Sequence, residues 1–409
     1  MIYKLELENF YSFRERQVLD LTVPQTAPDD QERFTEIFVG SKLRAPKIIA
    51  LFGANGSGKS TVLKAISFLA WFIRNSFDHT GAALPIDRFN DKECADRPIK
   101  LAIEFGGAMN LGSLVADTIL GTSQVIHGVY RYELELVTND GFVGSVGREL
   151  LLQKPNGEGR WHRVFARETN SKIVGSKQFP LSGFAQVVDK VRPNASVVST
   201  LSKFNHKVSG LFIDAVKKIS SNILIDKFEP TDNSVFAEMA TNPDLIQKLN
   251  ADLQRIDVGI EKADVLQTAN GPTLVFNHQG HGGIMPWLYE SHGTRAFIRV
   301  FPWLSSALTT GGVAVMDELD VSIHPLILPE IIRWFYSKDR NPRDGQLWMS
   351  IHAVSLLEDL AKEEIVLCEK DRNGRSTMFS LSDVRPTLRR DNYYKKYLGG
   401  EYGAVPRIG

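Results

Sequence analysis

The chain has 409 residues, with 48 Lys+Arg against 48 Asp+Glu, so its formal net charge is zero. That length predicts two or three domains, or one large domain with an insertion, and the neutral balance argues against a mainly electrostatic nucleic-acid binder. Hydrophobic residues at 43% and charged residues at 23% exclude disorder and low complexity.

Two cysteines, Cys94 and Cys368, are too few for a disulfide framework or a cysteine-based zinc site and fit a reducing cytosol. The opening MIYKLELENF alternates polar with apolar residues and carries acids, unlike a signal peptide. The longest apolar runs, such as Phe68–Ile73, fall well short of the ~20 residues needed to span a bilayer. A soluble, cytoplasmic protein with no membrane partner is expected.

Along the chain, Tyr3, Leu5 and Leu7 alternate with Lys4, Glu6 and Glu8, the period of a half-buried strand over Ile2–Glu8. A second strand at Gln17–Thr22 pairs with it. Lys47–Phe52 is nearly all apolar, as expected of a strand covered on both faces in a parallel sheet, and a helix follows from about Gly58 to Arg74. Alternation returns at Pro98–Phe105, Val129–Val137 and Gly147–Lys154, with a hairpin turn at Pro155–Gly159. These first ~170 residues read as one mixed sheet built around the buried strand.

From about 180 to 256 the pattern turns helical. The clearest helix starts at Asn242-Pro243-Asp244, with proline at its first position and Leu245, Leu249, Leu253 and Ile256 on one stripe. After Gly271 short strands alternate with helices: Val313–Met316, a helix from about Pro325, Gln346–Ile351 and Glu364–Cys368. That alternation predicts an α/β fold with a parallel core, interrupted by an inserted helical subdomain or lid. The predicted units are residues 1–175, 176–256 and 257–409.

Gly53-Ala-Asn-Gly-Ser-Gly58-Lys59-Ser60 fits the phosphate-binding loop G-x-x-x-x-G-K-[ST], between a buried strand and a helix. Its glycines let backbone N–H groups wrap a phosphate, Lys59 supplies a point charge, and the Ser60 hydroxyl suits Mg²⁺. Gly53, Asn55, Gly56, Gly58, Lys59, Ser60 and Thr61 are the expected nucleotide contacts. The apolar run Val313–Met316 then ends in Asp317-Glu318. Asp317 is assigned to the metal and Glu318 to the general base that deprotonates water. His324, before Pro325, reads as either a functional histidine or a helix cap. His352, after the apolar LWMSI, is placed to reach a γ-phosphate and report its presence.

These motifs together resemble the ABC-type ATPase heads of the SMC, RecF and OLD group. More narrowly, LELENFYSF, DVGIE, ESHGT, DELDVSIHP and CEKDRNGRS…YLGGEYGAVP resemble bacterial ATPases of the RloA/AbiL kind from phage-defence operons. The resemblance implies a P-loop NTPase of the ABC-head type that dimerises, or forms a higher homo-oligomer, around two Mg-ATP. Ser291 and Gly293 then match the signature that contacts the opposing γ-phosphate, and Asp320 matches the loop that crosses the interface. Two positions depart from the pattern. Tyr11 stands where a basic residue is usual, leaving Arg14 or Arg16 as substitutes. The Q-loop glutamine of that pattern is unassigned, with Gln124 and Gln153 as candidates.

The resemblance further implies an effector protein, a nuclease or toxin, encoded nearby, because too few residues follow His352 for such a domain in the same chain. DNA or a phage component is the implied trigger. The rival expectation is a DNA-clamping ATPase of repair or chromosome maintenance. Near the end, Arg385, Arg389, Arg390, Lys395 and Lys396 interleave with Tyr393, Tyr394 and Tyr397. This suits either nucleic-acid stacking or an amphipathic element that packs its tyrosines.

Overall fold

The computed structural model describes residues 1–109, 126–139, 141–169, 172–256, 259–321, 323–324 and 326–406. Two sheets organise it, with the helix that follows the phosphate loop between them.

The core sheet has six strands in the order Ile219–Ser221, Val313–Met316, Gln346–Ser350, Ile48–Phe52, Ile365–Lys370 and Ser376–Ser380. The first five run parallel, and the last pairs antiparallel with its neighbour. Successive side chains of a strand point to opposite faces, so the apolar runs feed two cores at once. Ile49, Leu51, Val313 and Val315 pack into a core with the helix Lys59–Asn75. Ile48, Ala50, Ala314 and Met316 pack into another with the helices His292–Thr310 and Ile327–Tyr336.

The second sheet is antiparallel and has seven strands: Val174–Gly175, His162–Glu168, Phe142–Pro155, His127–Asn139, Ile99–Ala108, Ile2–Glu8 and Gln17–Asp20. Its Leu5, Leu7, Ile103, Tyr132 and Leu134 share one core with Val62, Ile66 and Phe68 of the loop helix. The expected strands are therefore present, but they do not surround Ile48–Phe52. That strand takes both its neighbours from residues after 345. Periodicity identifies a strand without naming its partner, and a fully apolar strand needs cover on both faces that half-polar strands do not give.

The stretch expected to be one helical insertion is divided. Helices Val197–Ser202 and Lys207–Val216 join the loop-helix core. Ile219–Ser221 then enters the core sheet parallel to Val313–Val315. Beyond it, helices Asp232–Thr241 and Pro243–Ile256 pack with the hairpin Ile260–Thr268 and Gly271–His278 in the other core. A three-residue strand is too short to show a period of two, so it was not legible among helices. Leu245, Leu249 and Leu253 are buried as their spacing predicted. Gln124, residues 257–258 of DVGIE, Ser322 and Pro325 lie outside the described residues. Among the described residues, no helix is long and apolar enough to cross a membrane.

Candidate functional site

The phosphate loop leaves the core sheet at Phe52 and enters its helix at Lys59, with Gly53, Gly56 and Gly58 at φ 150°, 74° and 111°. At Gly53 glycine is also a matter of space. A Cβ there would lie 2.3 Å from the Cys368 carbonyl oxygen and 2.6 Å from Ser57 Oγ. Gly53→Ala is expected to push the loop off the Ile365–Lys370 strand and weaken nucleotide affinity at least roughly tenfold, read by titration calorimetry.

Lys59 is buried, and its Nζ donates to the carbonyls of Gly53 at 2.8 Å and Ala54 at 3.2 Å. Burial lowers its pKa from the usual lysine value, opposed by the nearby Cys368, Asp317 and Glu318. The ammonium thus rests on the loop's own backbone at a helix N-terminus, where free N–H groups favour an anion. Asn55 and Gly56 are exposed at the crest. A cavity of about 490 Å³ opens beside Ala54, Asn55 and Ser57.

Asp317 ends the strand Val313–Met316 and is 4% exposed. Its Oδ1 accepts from Ser60 Oγ at 2.9 Å and from Ser350 Oγ at 2.6 Å. The parallel register puts Met316 beside Met349, which brings Ser350 to the same sheet edge. A hydroxyl and a carboxylate this close are hard oxygen donors suited to Mg²⁺, which prefers few protein ligands plus phosphate and water.

Asn222, just after Ile219–Ser221, brackets the Asp317 backbone. It accepts from the Asp317 N–H at 2.6 Å and donates to the Asp317 carbonyl at 3.0 Å. Sequence reasoning missed it, because nothing local marks an asparagine whose partner is 95 positions away. Gln153, one candidate for the unassigned glutamine, is buried on Phe142–Pro155 of the other sheet. Asn222→Ala leaves two buried backbone groups unpaired, so a loss of about 3 kcal/mol is expected by denaturant unfolding.

Glu318 follows with φ 50°, its N–H donating to Ser350 Oγ at 2.7 Å. Its Oε2 lies 3.1 Å from Lys227 Nζ, and its Oε1 3.7 Å from His352 Nε2. Asp320 Oδ2 accepts from the N–H groups of His352 at 2.8 Å and Ala353 at 2.6 Å, fastening that turn. Lys59, Ser60, Asp317, Glu318, Asp320 and His352 thus gather at one end of the core sheet. His324 Nδ1 accepts from the Leu326 N–H at 3.3 Å, a capping contact ahead of Ile327–Tyr336.

Ser291 and Gly293 stand on another element, at the N-terminus of the helix His292–Thr310. Ser291 caps the helix His292–Thr310, its Oγ accepting from the Thr294 N–H at 3.0 Å. The preceding Glu290 is buried against His278 Nε2 at 2.6 Å, while Leu288 and Tyr289 are 75% and 77% exposed.

The expected basic substitutes near Tyr11 are otherwise engaged. Arg14 pairs with Glu15, Asp91 and Glu93, and Arg16 with Glu6 at 2.7 Å. Burial and the Asp87 charge push the Tyr11 hydroxyl up to about 12. In the closing segment, Tyr393 and Tyr397 are buried on the helix Tyr393–Leu398. Arg389 pairs with Glu363 at 2.7 Å and Lys396 with Asp391 at 3.1 Å. The tyrosines pack rather than face a base.

In sequence, the family described as "AAA domain, putative AbiEii toxin, Type IV TA system" matches residues 48–96 and 181–352, more than half of the chain. The matched stretches hold the phosphate loop, Ser291, Asp317, Glu318, Asp320 and His352, and omit all seven strands of the antiparallel sheet. No curated protein matches the sequence. Two SMC heads are similar in structure. One, an SmcHead bound to the C-winged helix domain of ScpA, is 14% identical with TM-score 0.47, covering 93% of this chain and 98% of that one. The other, the SMC head domain from Thermotoga maritima, is 13% identical with TM-score 0.41, at the same two coverages of 93% and 98%.

Proposed function

The chain belongs to this AAA-domain family, and from that premise we propose that it works as an ABC-type P-loop ATPase, an ATP-hydrolysing switch that dimerises around Mg-ATP. The observation that carries the reading is the Ser60–Asp317 contact of 2.9 Å beneath the loop, with Glu318 and His352 beside it. Phosphates wrapped by the loop meet Lys59 and the helix N-terminus, and Ser60 and Asp317 would hold the metal. Bound there, Mg²⁺ supplies charge neutralisation on the phosphate oxygens. Glu318 takes the proton of the attacking water, and His352 meets the γ-phosphate side, its turn fixed by Asp320.

Dimerisation is supported by what stands around the two half-sites. Leu288 and Tyr289 beside Ser291, and Val321 and Leu326 beyond Asp320, are large apolar side chains exposed by 49% or more. Exposed apolar groups clustered at functional loops mark interaction surfaces. In the sandwich, Ser291 and Gly293 of one protomer close the nucleotide on the loop of its partner. The family's description names a toxin and a toxin–antitoxin system, which fits a role in defence, and a separately encoded effector and a cytoplasmic setting are part of the same proposal.

The test is phosphate release from Mg-ATP by the purified chain, read with its mass by light scattering. Turnover and an ATP-driven doubling of mass are expected. No turnover would sink the hydrolytic reading, and a mass indifferent to ATP would sink the nucleotide-driven dimer. Association driven instead by duplex DNA, lost steeply with salt, would favour the clamp.

A further inference from the structure

Glu318 is touched from a part of the chain that no motif covers. The segment after Ile219–Ser221 closes on itself: the Phe228 N–H donates to the Asn222 carbonyl at 2.8 Å, and Ile223 bridges Lys227. This closed loop, 222–228, grips the end of the Asp317 strand at two points. Asn222 holds the Asp317 backbone, and Lys227 sets its Nζ 3.1 Å from Glu318 Oε2. The opposite oxygen, Oε1, is 3.7 Å from His352 Nε2, too far for a hydrogen bond. Glu318 also sits at a positive φ of 50°, a conformation that persists where its surroundings hold it.

We propose that Lys227 is a positioning residue of the hydrolytic site, pinning one carboxylate oxygen of Glu318 so that the other is presented to the attacking water. This rests on the reading of Glu318 as the base. The side chains of Lys227 and Glu318 are 25% and 39% exposed, and ion pairs of that kind contribute little to stability. Orientation is a separate matter. A glutamate at a strand end turns about three side-chain bonds, and a displacement of about 1 Å at a reacting group can cost up to ~100-fold in rate. Asn222 keeps the loop that carries Lys227 in register with Asp317, so the ammonium is delivered by a fixed element rather than a free side chain.

The experiment compares Lys227→Met and Lys227→Arg with the wild-type full chain in steady-state ATP hydrolysis. It adds the affinity for a fluorescent ATP analogue and amide hydrogen exchange in the nucleotide-free protein. For Lys227→Met, kcat is expected to fall about tenfold with KM and analogue affinity within about twofold, since the contact is to the base and not to nucleotide. Amide exchange over 222–228 and 318–321 is expected to quicken. Lys227→Arg, which keeps the charge, is expected to restore both. An unchanged kcat would reduce the pair to a surface contact, and a raised kcat would make Lys227 a restraint on the base; either overturns the proposal. Equal losses of affinity, turnover and melting temperature in both variants would assign Lys227 to folding instead. Normal turnover in Glu318→Gln would remove the base itself, and the positioning role with it. That outcome is distinct from a Lys227 failure beside an inactive Glu318→Gln.

Discussion

Glu318→Gln is expected to bind Mg-ATP within about threefold of wild type while losing at least ~100-fold in turnover, the usual range for removing a general base. The amide keeps the shape of the carboxylate and its place after Asp317, so the loop, Ser60 and Asp317 contacts are untouched. A chain that binds but cannot hydrolyse should accumulate as the ATP-bound dimer, seen as a doubling of mass in light scattering. Survival of normal turnover would mean another group activates the water. A variant already dimeric without nucleotide would move the switch inside a standing oligomer.

The second large effect is at Lys59. Lys59→Ala is expected to weaken ATP binding by roughly 100-fold or more, from the loss of charge-assisted hydrogen bonds together worth about 3 kcal/mol. The Lys59 Nζ rests on the Gly53 and Ala54 carbonyls at 2.8 and 3.2 Å, and the residue is 5% exposed. Its burial already disfavours the ammonium, so an incoming phosphate gives the charge a partner that the loop's neutral carbonyls replace poorly. Calorimetric titration reads the affinity, and the variant's unfolding curve checks that the loop still folds. ATP affinity near wild type would place the nucleotide elsewhere.

Much of the site was legible because its chemistry is local. The phosphate loop sits within eight consecutive residues, and its strand and helix are marked by an apolar run and a helical stripe on either side. Asp317 and Glu318 are read from their place after a four-residue buried strand. The tyrosines near the end were left open between stacking and packing, and burial of Tyr393 and Tyr397, one turn apart, decides for packing. The antiparallel strands were found too, but their sheet was not, since a period of two says which face is buried and nothing of what lies beside it.

Sequence by itself determined the phosphate loop, the acidic strand end and the parallel α/β core, because each is written in a short window where side-chain period and glycine geometry act directly. Only the tertiary structure decided that Ile219–Ser221 is a core strand, and so that Asn222 and Lys227 reach Asp317 and Glu318. It likewise decided that Ser350 shares Asp317 with Ser60. The reason is the parallel sheet itself. Its crossovers carry the chain through long helical detours before returning it to the same edge, so residues over 90 positions apart meet through strand register rather than through any pattern a local window contains.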